Sequence, residues 1–142
     1  MKGMEEILDQ TDLRILDELS KNSRITMKEL SEKVHLSSPA TSARVEKLET
    51  AGIIEGYTIR VNQQKMGYFV HAMISVIMKN SHHEPYLSYL KAQAPFVIQN
   101  YKISGDSCYL LECKFPSNEV LDEFLVNLSE FVNYKLSIII SK

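Results

Sequence analysis

Apolar residues recur at helical spacing in three stretches near the start of the chain. The first stretch covers residues 8–19 and the second covers residues 27–34. The third places Thr41, Val45 and Leu48 on one face, with polar and small residues on the other. A spacing of three or four residues between apolar positions is typical of amphipathic helices. The pattern therefore predicts three helices, the last ending near Thr50.

Short polar residues mark where the second and third helices begin. Thr26 is followed three residues later by Glu29, which predicts a reciprocal capping box at the start of helix two. Ser37 or Ser38 can cap helix three, and Pro39 suits its first helical position because proline needs no amide partner there. The turn between helices two and three is only three or four residues long. Two helices joined in this way predict a helix-turn-helix over about residues 27–46.

The pattern changes after the third helix from helical spacing to alternation. Residues 53–61 (IIEGYTIRV) alternate enough to predict a strand, and the polar stretch 62–67 predicts a hinge. We therefore expect domains at residues 1–61 and 62–142. The second domain is predicted to have strands at 68–78, 96–104, 107–115 and 132–141, with helices at 83–94 and 118–131. This βαββαβ order predicts an α+β protein: a winged-helix-like helix-turn-helix domain followed by a ferredoxin-like sheet with helices on one face.

Composition and charge exclude several classes of protein. The chain has 142 residues, a net charge of −2 and no cofactor-binding or catalytic motif, so we expect neither an enzyme nor a bound cofactor. Cysteine and histidine spacing predicts no metal site, and Cys108 and Cys113 are placed on opposite sides of a strand. The acidic start is unlike a signal peptide and no apolar run reaches 18 residues, so we expect a cytoplasmic protein without a membrane partner.

The third helix has the residue types that a major-groove reading helix needs. Short side chains at its N-terminal end let the backbone approach base edges, and longer basic side chains reach phosphates. Residues 24–47 carry a net charge of +2. The candidate DNA-binding residues are Arg24, Lys28, Ser37, Ser38, Ala40, Ser42, Ala43, Arg44 and Lys47. Because so few cations neutralise only ~3 to 5 phosphates per protomer, we expect double-stranded DNA to be held by an oligomer.

The second domain offers a surface and a turn. The first and last strands are expected to be apolar on both faces, which predicts dimerisation through the uncovered sheet face. The turn between the middle strands contains Gly105, Asp106, Ser107 and Cys108. It is either a simple hairpin turn or a site where amides hold a carboxylate and Asp106 holds an ammonium group, as an amino-acid effector would require.

A dispersed set of residues along nearly the whole chain resembles the Lrp/AsnC family of transcription regulators. The set is Leu8-Asp9-x-x-Asp12, Ile15-Leu16, Arg24, Glu29-Leu30, Leu36-Ser37, Arg44-Val45-x-x-Leu48-Glu49, Gly52-Ile53-Ile54-x-Gly56-Tyr57, Gly67 and Gly105-Asp106. The resemblance implies a C-terminal module that dimerises through its sheets and assembles into tetramers or octamers. It also implies DNA wrapped around the assembly and amino acids bound between C-terminal modules.

The chain departs from that family's pattern at two positions. Cys108 stands where the family commonly has an aspartate, so the usual amino-acid specificity does not carry over. Thr41 stands where an apolar residue is usual, so helix three is expected to pack less firmly. The resulting hypothesis is a DNA-binding transcription regulator, acting as an oligomer and modulated by a small effector. Two alternatives stay open: an architectural protein that bends or wraps DNA, and a small-molecule sensor with a vestigial DNA-binding head.

Overall fold

The computed structural model describes residues 8–142 and divides into two compact units. The first unit ends at Arg60 and the second begins at Val61, one residue before the boundary expected from the sequence. No helix in the described range is long and apolar enough to cross a membrane.

The first unit contains the three predicted helices. They are α1 (Gln10–Lys21), α2 (Met27–Val34) and α3 (Ser38–Thr50). One buried cluster joins them, formed by Ile15, Leu19, Ile25, Leu30, Val34, Val45 and Leu48. The apolar spacing along the sequence therefore identified the packed face of each helix.

The helix caps differ from the predicted ones in two details. At α2, Thr26 accepts a hydrogen bond from the backbone N–H of Glu29 at 3.1 Å, but within residues 8–142 the Glu29 carboxylate accepts none from the N–H of Thr26. The prediction of a reciprocal capping box was therefore wrong, and the Glu29 side chain is exposed. At α3, Ser37 is the N-cap, which makes Pro39 the second helical residue rather than the first.

The expected strand at residues 53–61 is wrong. Ile53 and Ile54 pack against the helical cluster, whereas Ile59 is 76% exposed and Val61 is 45% exposed. A strand is stable only when its amides and carbonyls join a ladder. The described part of the first unit is otherwise helical, so the alternating segment has no strand to pair with.

The second unit is the predicted βαββαβ module. Its elements are β1 (Val70–Met78), α4 (Glu84–Ala92), a single 3₁₀ turn (Ala94–Phe96), β2 (Val97–Lys102), β3 (Tyr109–Phe115), α5 (Asn118–Leu128) and β4 (Val132–Ile138). The sheet order is β2-β3-β1-β4, and each pair of neighbours is antiparallel.

Both helices of the second unit pack on one face of the sheet, as expected. The strands contribute Ala72, Ile74, Val76, Tyr109, Leu111, Cys113, Phe115 and Val132 to the buried cluster. The helices contribute Tyr86, Leu90, Leu121, Phe124, Leu125 and Leu128. Cys108 and Cys113 are both free thiols.

The last strand is not apolar on both faces, contrary to expectation. Leu136 pairs with the buried Ile74, and Ile138 pairs with Ala72, so both lie on the helix side of the sheet. They are nevertheless 38% and 44% exposed, and they lie on β4, which is an edge strand of the sheet. The other face of β4 is polar, with Asn133, Lys135 and Ser137.

Candidate nucleic-acid interface and effector loop

The outward face of α3 is the candidate nucleic-acid interface. Thr41, Val45 and Leu48 are buried on its inner side, as the spacing predicted. The exposed residues on the other side are Pro39, Ser42, Ala43, Glu46 and Lys47. Most of these side chains are short, so the helix backbone is open to close approach by a flat or grooved partner.

The start of α3 is held by its own serines and by Thr41. Ser37 accepts a hydrogen bond from the N–H of Ala40 at 3.2 Å, and the Thr41 hydroxyl donates to the Ser37 carbonyl at 2.9 Å. The Thr41 hydroxyl is thus satisfied although the residue is fully buried. The hydroxyls of Ser38 and Ser31 lie 3.3 Å apart, which ties α3 to α2.

The turn between α2 and α3 has the backbone geometry of a tight helix-turn-helix. His35 ends α2 in the left-handed region, with φ 57° and ψ 45°. The N–H of Leu36 then reaches back to the carbonyl of Ser31 at 3.1 Å. A left-handed residue after a helix lets the chain reverse quickly while satisfying a terminal carbonyl. Ser37 can therefore start the next helix two residues later.

Arg44 is turned toward α1 rather than outward. Its Nη1 atom donates to Oδ2 of Asp9 at 2.6 Å and to Oδ1 of Asp12 at 3.3 Å. The hydrogen bond to Asp9 raises the pKa of Arg44, and the same bond lowers the pKa of Asp9 below its usual value of 3.8. The guanidinium placed by the sequence among phosphate contacts therefore already has two partners within its own unit.

The other three basic residues of the predicted interface are exposed to solvent, unlike Arg44. Arg24, Lys28 and Lys47 are exposed, and none of the ion pairs found within residues 8–142 involves them. Exposed unpaired cations can neutralise phosphates without first breaking an internal bond. These three remain the basic candidates of the interface.

The candidate effector loop joins β2 and β3. It is longer than a two-residue hairpin turn, because β2 ends at Lys102 and β3 begins at Tyr109. The N–H of Ile103 donates to the carbonyl of Cys108 at 3.0 Å, which closes the loop at its base. Gly105 has φ 131°, a conformation that favours glycine, and a Cβ at this position would point into open space.

The four predicted effector residues differ in exposure. Gly105 and Asp106 are exposed, whereas Ser107 and Cys108 are half-buried. The N–H of Cys108 donates to the carbonyl of Val76 at 2.8 Å and is therefore not free for a ligand. One chain thus presents an open loop tip with a carboxylate, and a small ligand bound there would need a second surface to cover it.

The sheet face opposite the helices mixes apolar and charged residues. Met73, Ile77 and Leu110 supply its apolar part. The Nε2 atom of His71 lies 2.6 Å from Oε2 of Glu112, so a hydrogen-bonded polar pair occupies the same face. The expectation of an apolar second face is therefore correct for part of β1 only.

Comparisons with known proteins match both units. Residues 8–55 match the family model described as winged helix-turn-helix DNA-binding, and residues 71–142 match the Lrp/AsnC ligand binding domain. The Bacillus subtilis HTH-type transcriptional regulator LrpA is 58% identical over 136 residues, covering 96% of this chain and 100% of LrpA.

The chain belongs to the Lrp/AsnC family.

Solved structures of this family have the same fold. The structure of B. subtilis LrpC superposes with a TM-score of 0.88 at 37% identity, covering 95% of this chain and 96% of LrpC. A Neisseria meningitidis transcriptional regulator in complex with L-Met superposes with a TM-score of 0.87 at 27% identity, covering 95% of this chain and 91% of that one.

Membership of the Lrp/AsnC family confirms the predicted class of function. The chain is a DNA-binding transcriptional regulator of this type, and its relatives are regulators rather than enzymes. The sequence reasoning missed the contacts of Asp9 and Asp12 with α3. Asp9 and Asp12 entered the sequence analysis only as part of the family resemblance, and their spacing gave no indication of a partner in α3.

Proposed function

We propose that this Lrp/AsnC regulator reads duplex DNA with the outward face of α3 in the major groove. The observation that supports this most is the row of exposed short side chains, with Ser42 and Ala43 at its centre. Such residues let a helix approach base edges closely, and polar ones can hydrogen-bond to them. Ser37, Ser38 and Ala40 lie at the helix N-terminus, where backbone dipoles favour a nearby phosphate.

Three cations complete the proposed interface. Lys47 extends from α3 itself, while Arg24 and Lys28 lie before and within α2 and would contact the flanking phosphates. Arg44 is not among them, because Asp9 and Asp12 hold its guanidinium. A protomer with so few phosphate contacts binds weakly at physiological salt.

We propose that the working form is a homo-oligomer built from sheet-to-sheet dimers, with tetramers or octamers assembled from these. Linking several α3 helices makes the later DNA contacts intramolecular, which raises overall affinity by about 10² to 10⁴. Met73 and Ile77 give the open sheet face apolar area to bury. A regulator of this kind acts in the cytoplasm.

We propose further that an amino acid binds at Gly105–Cys108, where a neighbouring chain covers the open loop. The match of residues 71–142 to a ligand binding domain and the L-Met complex of the Neisseria relative support this. By favouring one assembly over another, the ligand would change DNA affinity. Position 108 is a cysteine and has no carboxylate, so Asp106 is the loop's only carboxylate for the ammonium group.

A mobility-shift titration of the full chain tests the DNA-binding face. Affinity is expected to fall steeply between about 50 and 200 mM salt. Lys47→Ala should weaken binding and reduce the salt slope by about one, because it removes one phosphate contact. Lys91→Ala, an exposed lysine on α4, is the matched control and should bind like the unchanged chain. Binding of Lys47→Ala indistinguishable from the control would refute the assignment of α3.

An architectural role is the second candidate, and the short outward side chains of α3 favour it because they offer few base-reading groups. Footprinting at increasing protein concentration separates the two functions. A sequence-reading regulator protects discrete sites before the rest of the duplex, whereas an architectural protein protects all of it together.

Calorimetry with L-methionine and other amino acids tests the effector loop. We expect binding by the assembled protein and loss of binding in Gly105→Val, since a β-branched residue is strained at φ 131°. Equal heats from the two proteins would place the effector elsewhere.

A further inference from the structure

The carboxylates of Asp9 and Asp12 accept four hydrogen bonds, and each of their four oxygens accepts one. Oδ1 of Asp9 accepts from the N–H of Asp12 at 2.8 Å, and Oδ2 of Asp12 accepts from the N–H of Asp9 at 3.1 Å. These two bonds make a complete capping box for α1. The remaining oxygen of each carboxylate accepts from Nη1 of Arg44. The cap of α1 is therefore also an attachment point for α3.

The burial of Asp12 makes its hydrogen bond from Arg44 important for the packing of α3 on α1. The Asp12 side chain is 3% exposed and the Arg44 side chain is 34% exposed, while Asp9 is 55% exposed. A buried carboxylate needs hydrogen-bond donors or an opposite charge, since burial without them is strongly unfavourable. Asp12 obtains one donor from the backbone of Asp9 and one from α3. Rotating α3 about its axis would remove the second.

The local charge argues against a phosphate contact at the same point. Two carboxylates and one guanidinium give the cluster a net charge of −1, which repels a phosphate. Arg44 could reach a phosphate only by leaving Asp9 and Asp12. That movement would leave the Asp12 carboxylate buried with its backbone donor alone.

We propose that Arg44 is a positioning residue for DNA binding: it holds α3 in its rotational setting on α1 through Asp9 and Asp12 and makes no phosphate contact. This inference rests on the proposed use of α3 as the DNA-reading helix. The outward face of α3 is then presented to the groove at an angle that two acids in another helix determine.

Neutralising Asp9 distinguishes this role from ordinary electrostatics. Removing an acidic charge near DNA should strengthen binding if charge alone matters. If Asp9 positions α3 through Arg44, Asp9→Asn should instead weaken binding. Asparagine is a good N-cap, so its amide oxygen preserves the bond to the N–H of Asp12. The substitution replaces the charged oxygen that accepts from Arg44 with an amide NH2, which cannot accept.

The experiment measures DNA affinity of the full chain from about 50 to 200 mM salt. We expect Asp9→Asn and Arg44→Gln to weaken binding by about threefold to tenfold, the range that corresponds to loss of one hydrogen bond of typical net strength, with the salt slope unchanged. Asp17→Asn is the matched control. This substitution removes an acid from α1, and the ion-pair partner of that acid, Lys21, also lies on α1. The DNA affinity of Asp17→Asn should therefore equal that of the unchanged chain or be slightly higher.

The double variant Asp9→Asn with Arg44→Gln tests whether the two residues act through each other. It should lose no more affinity than Arg44→Gln alone. Losses that multiply would overturn the proposal, as would equal or tighter binding by Asp9→Asn, or a salt slope reduced by about one in Arg44→Gln.

Two measurements separate loss of positioning from other failures. Circular dichroism at each salt concentration identifies any variant that has lost helix, and Asp9→Asn still decides the question if Arg44→Gln does not fold. If the unchanged chain fails to bind duplex at any salt concentration, the proposed function itself is wrong. If the unchanged chain binds duplex but Arg44→Gln reduces the salt slope by about one, Arg44 contacts a phosphate and only the positioning role is wrong.

Discussion

His71 on β1 and Glu112 on β3 form a 2.6 Å contact between Nε2 and Oε2, on the sheet face that the helices leave uncovered. Each side chain is 25% exposed, so neighbouring residues already shield much of the pair. Met73 is the direct register partner of Glu112, which places an apolar residue beside the pair. The face therefore combines a fixed polar contact with apolar area, as interfaces between protein chains commonly do.

The first prediction concerns self-association through this face. Ile77→Asp should disrupt the dimer, because a carboxylate buried between two sheets would lack a partner. Val126→Asp is the matched control, since Val126 is 60% exposed on α5, on the other side of the sheet. Sedimentation velocity should show a smaller species for Ile77→Asp and an unchanged species for Val126→Asp. The same size for both variants would contradict the proposed dimer.

The second prediction separates stability from DNA binding at the cap of α3. Ser37→Ala should destabilise the first unit by about 1 kcal/mol, because it removes the acceptor for the N–H of Ala40. Ser37→Asp should restore the cap and the stability. It should nevertheless bind DNA more weakly than the unchanged chain, because its charge repels phosphate. Thermal unfolding measures the stability, and mobility shifts measure the DNA affinity. If Ser37→Asp regains DNA affinity together with stability, the DNA does not contact this end of α3.

The third prediction is a pH dependence that arises from Asp9. Arg44 lowers the pKa of Asp9 in the folded chain, whereas the unfolded carboxyl titrates near 3.8. The stabilisation is therefore fully present above that value and is lost as the pH falls through the lower, folded pKa. Thermal midpoints of the unchanged chain and of Asp9→Asn should differ at neutral pH and converge as the pH falls through the lowered, folded pKa of Asp9. A difference that stayed constant with pH would exclude the ion pair as its origin.

The fourth prediction concerns the buried thiol of Cys113. Burial raises the pKa of Cys113 to about 12, so almost no thiolate forms at about pH 8. In a Cys108→Ser variant, a thiol reagent should therefore react with Cys113 only as the second unit unfolds. The observed rate should rise with denaturant in parallel with the loss of sheet signal. Rapid labelling of the folded variant would show that the β3 core opens without global unfolding.

The spacing of apolar residues predicted the packing of α3 correctly because helix periodicity is a local property. Thr41, Val45 and Leu48 must share a face whenever the segment is helical. The same local reasoning predicted the strand at residues 53–61, where it was wrong. Alternation makes a segment suited to a sheet, but whether it becomes a strand depends on a partner strand elsewhere in the chain or in another chain.

The effector loop shows a similar division. The sequence placed a turn that contains Gly105 between the middle strands, and in the structure Gly105 has φ 131°. Sequence spacing did not show that the strands end at Lys102 and Tyr109, which makes the connection longer than a tight turn. The length of the ladder is decided by which cross-strand hydrogen bonds can form, and those bonds join residues far apart along the chain.

By itself, the sequence determined the order of the three N-terminal helices, the βαββαβ order of the second unit, the buried face of α3 and the family to which the chain belongs. Only the tertiary structure decided that Arg44 turns to Asp9 and Asp12 instead of outward. These residues are separated by 35 and 32 positions, and a flexible guanidinium on the flank of a helix can face either solvent or a neighbouring helix. The choice follows from the burial of Asp12, which requires a donor, and burial is set by how the helices pack.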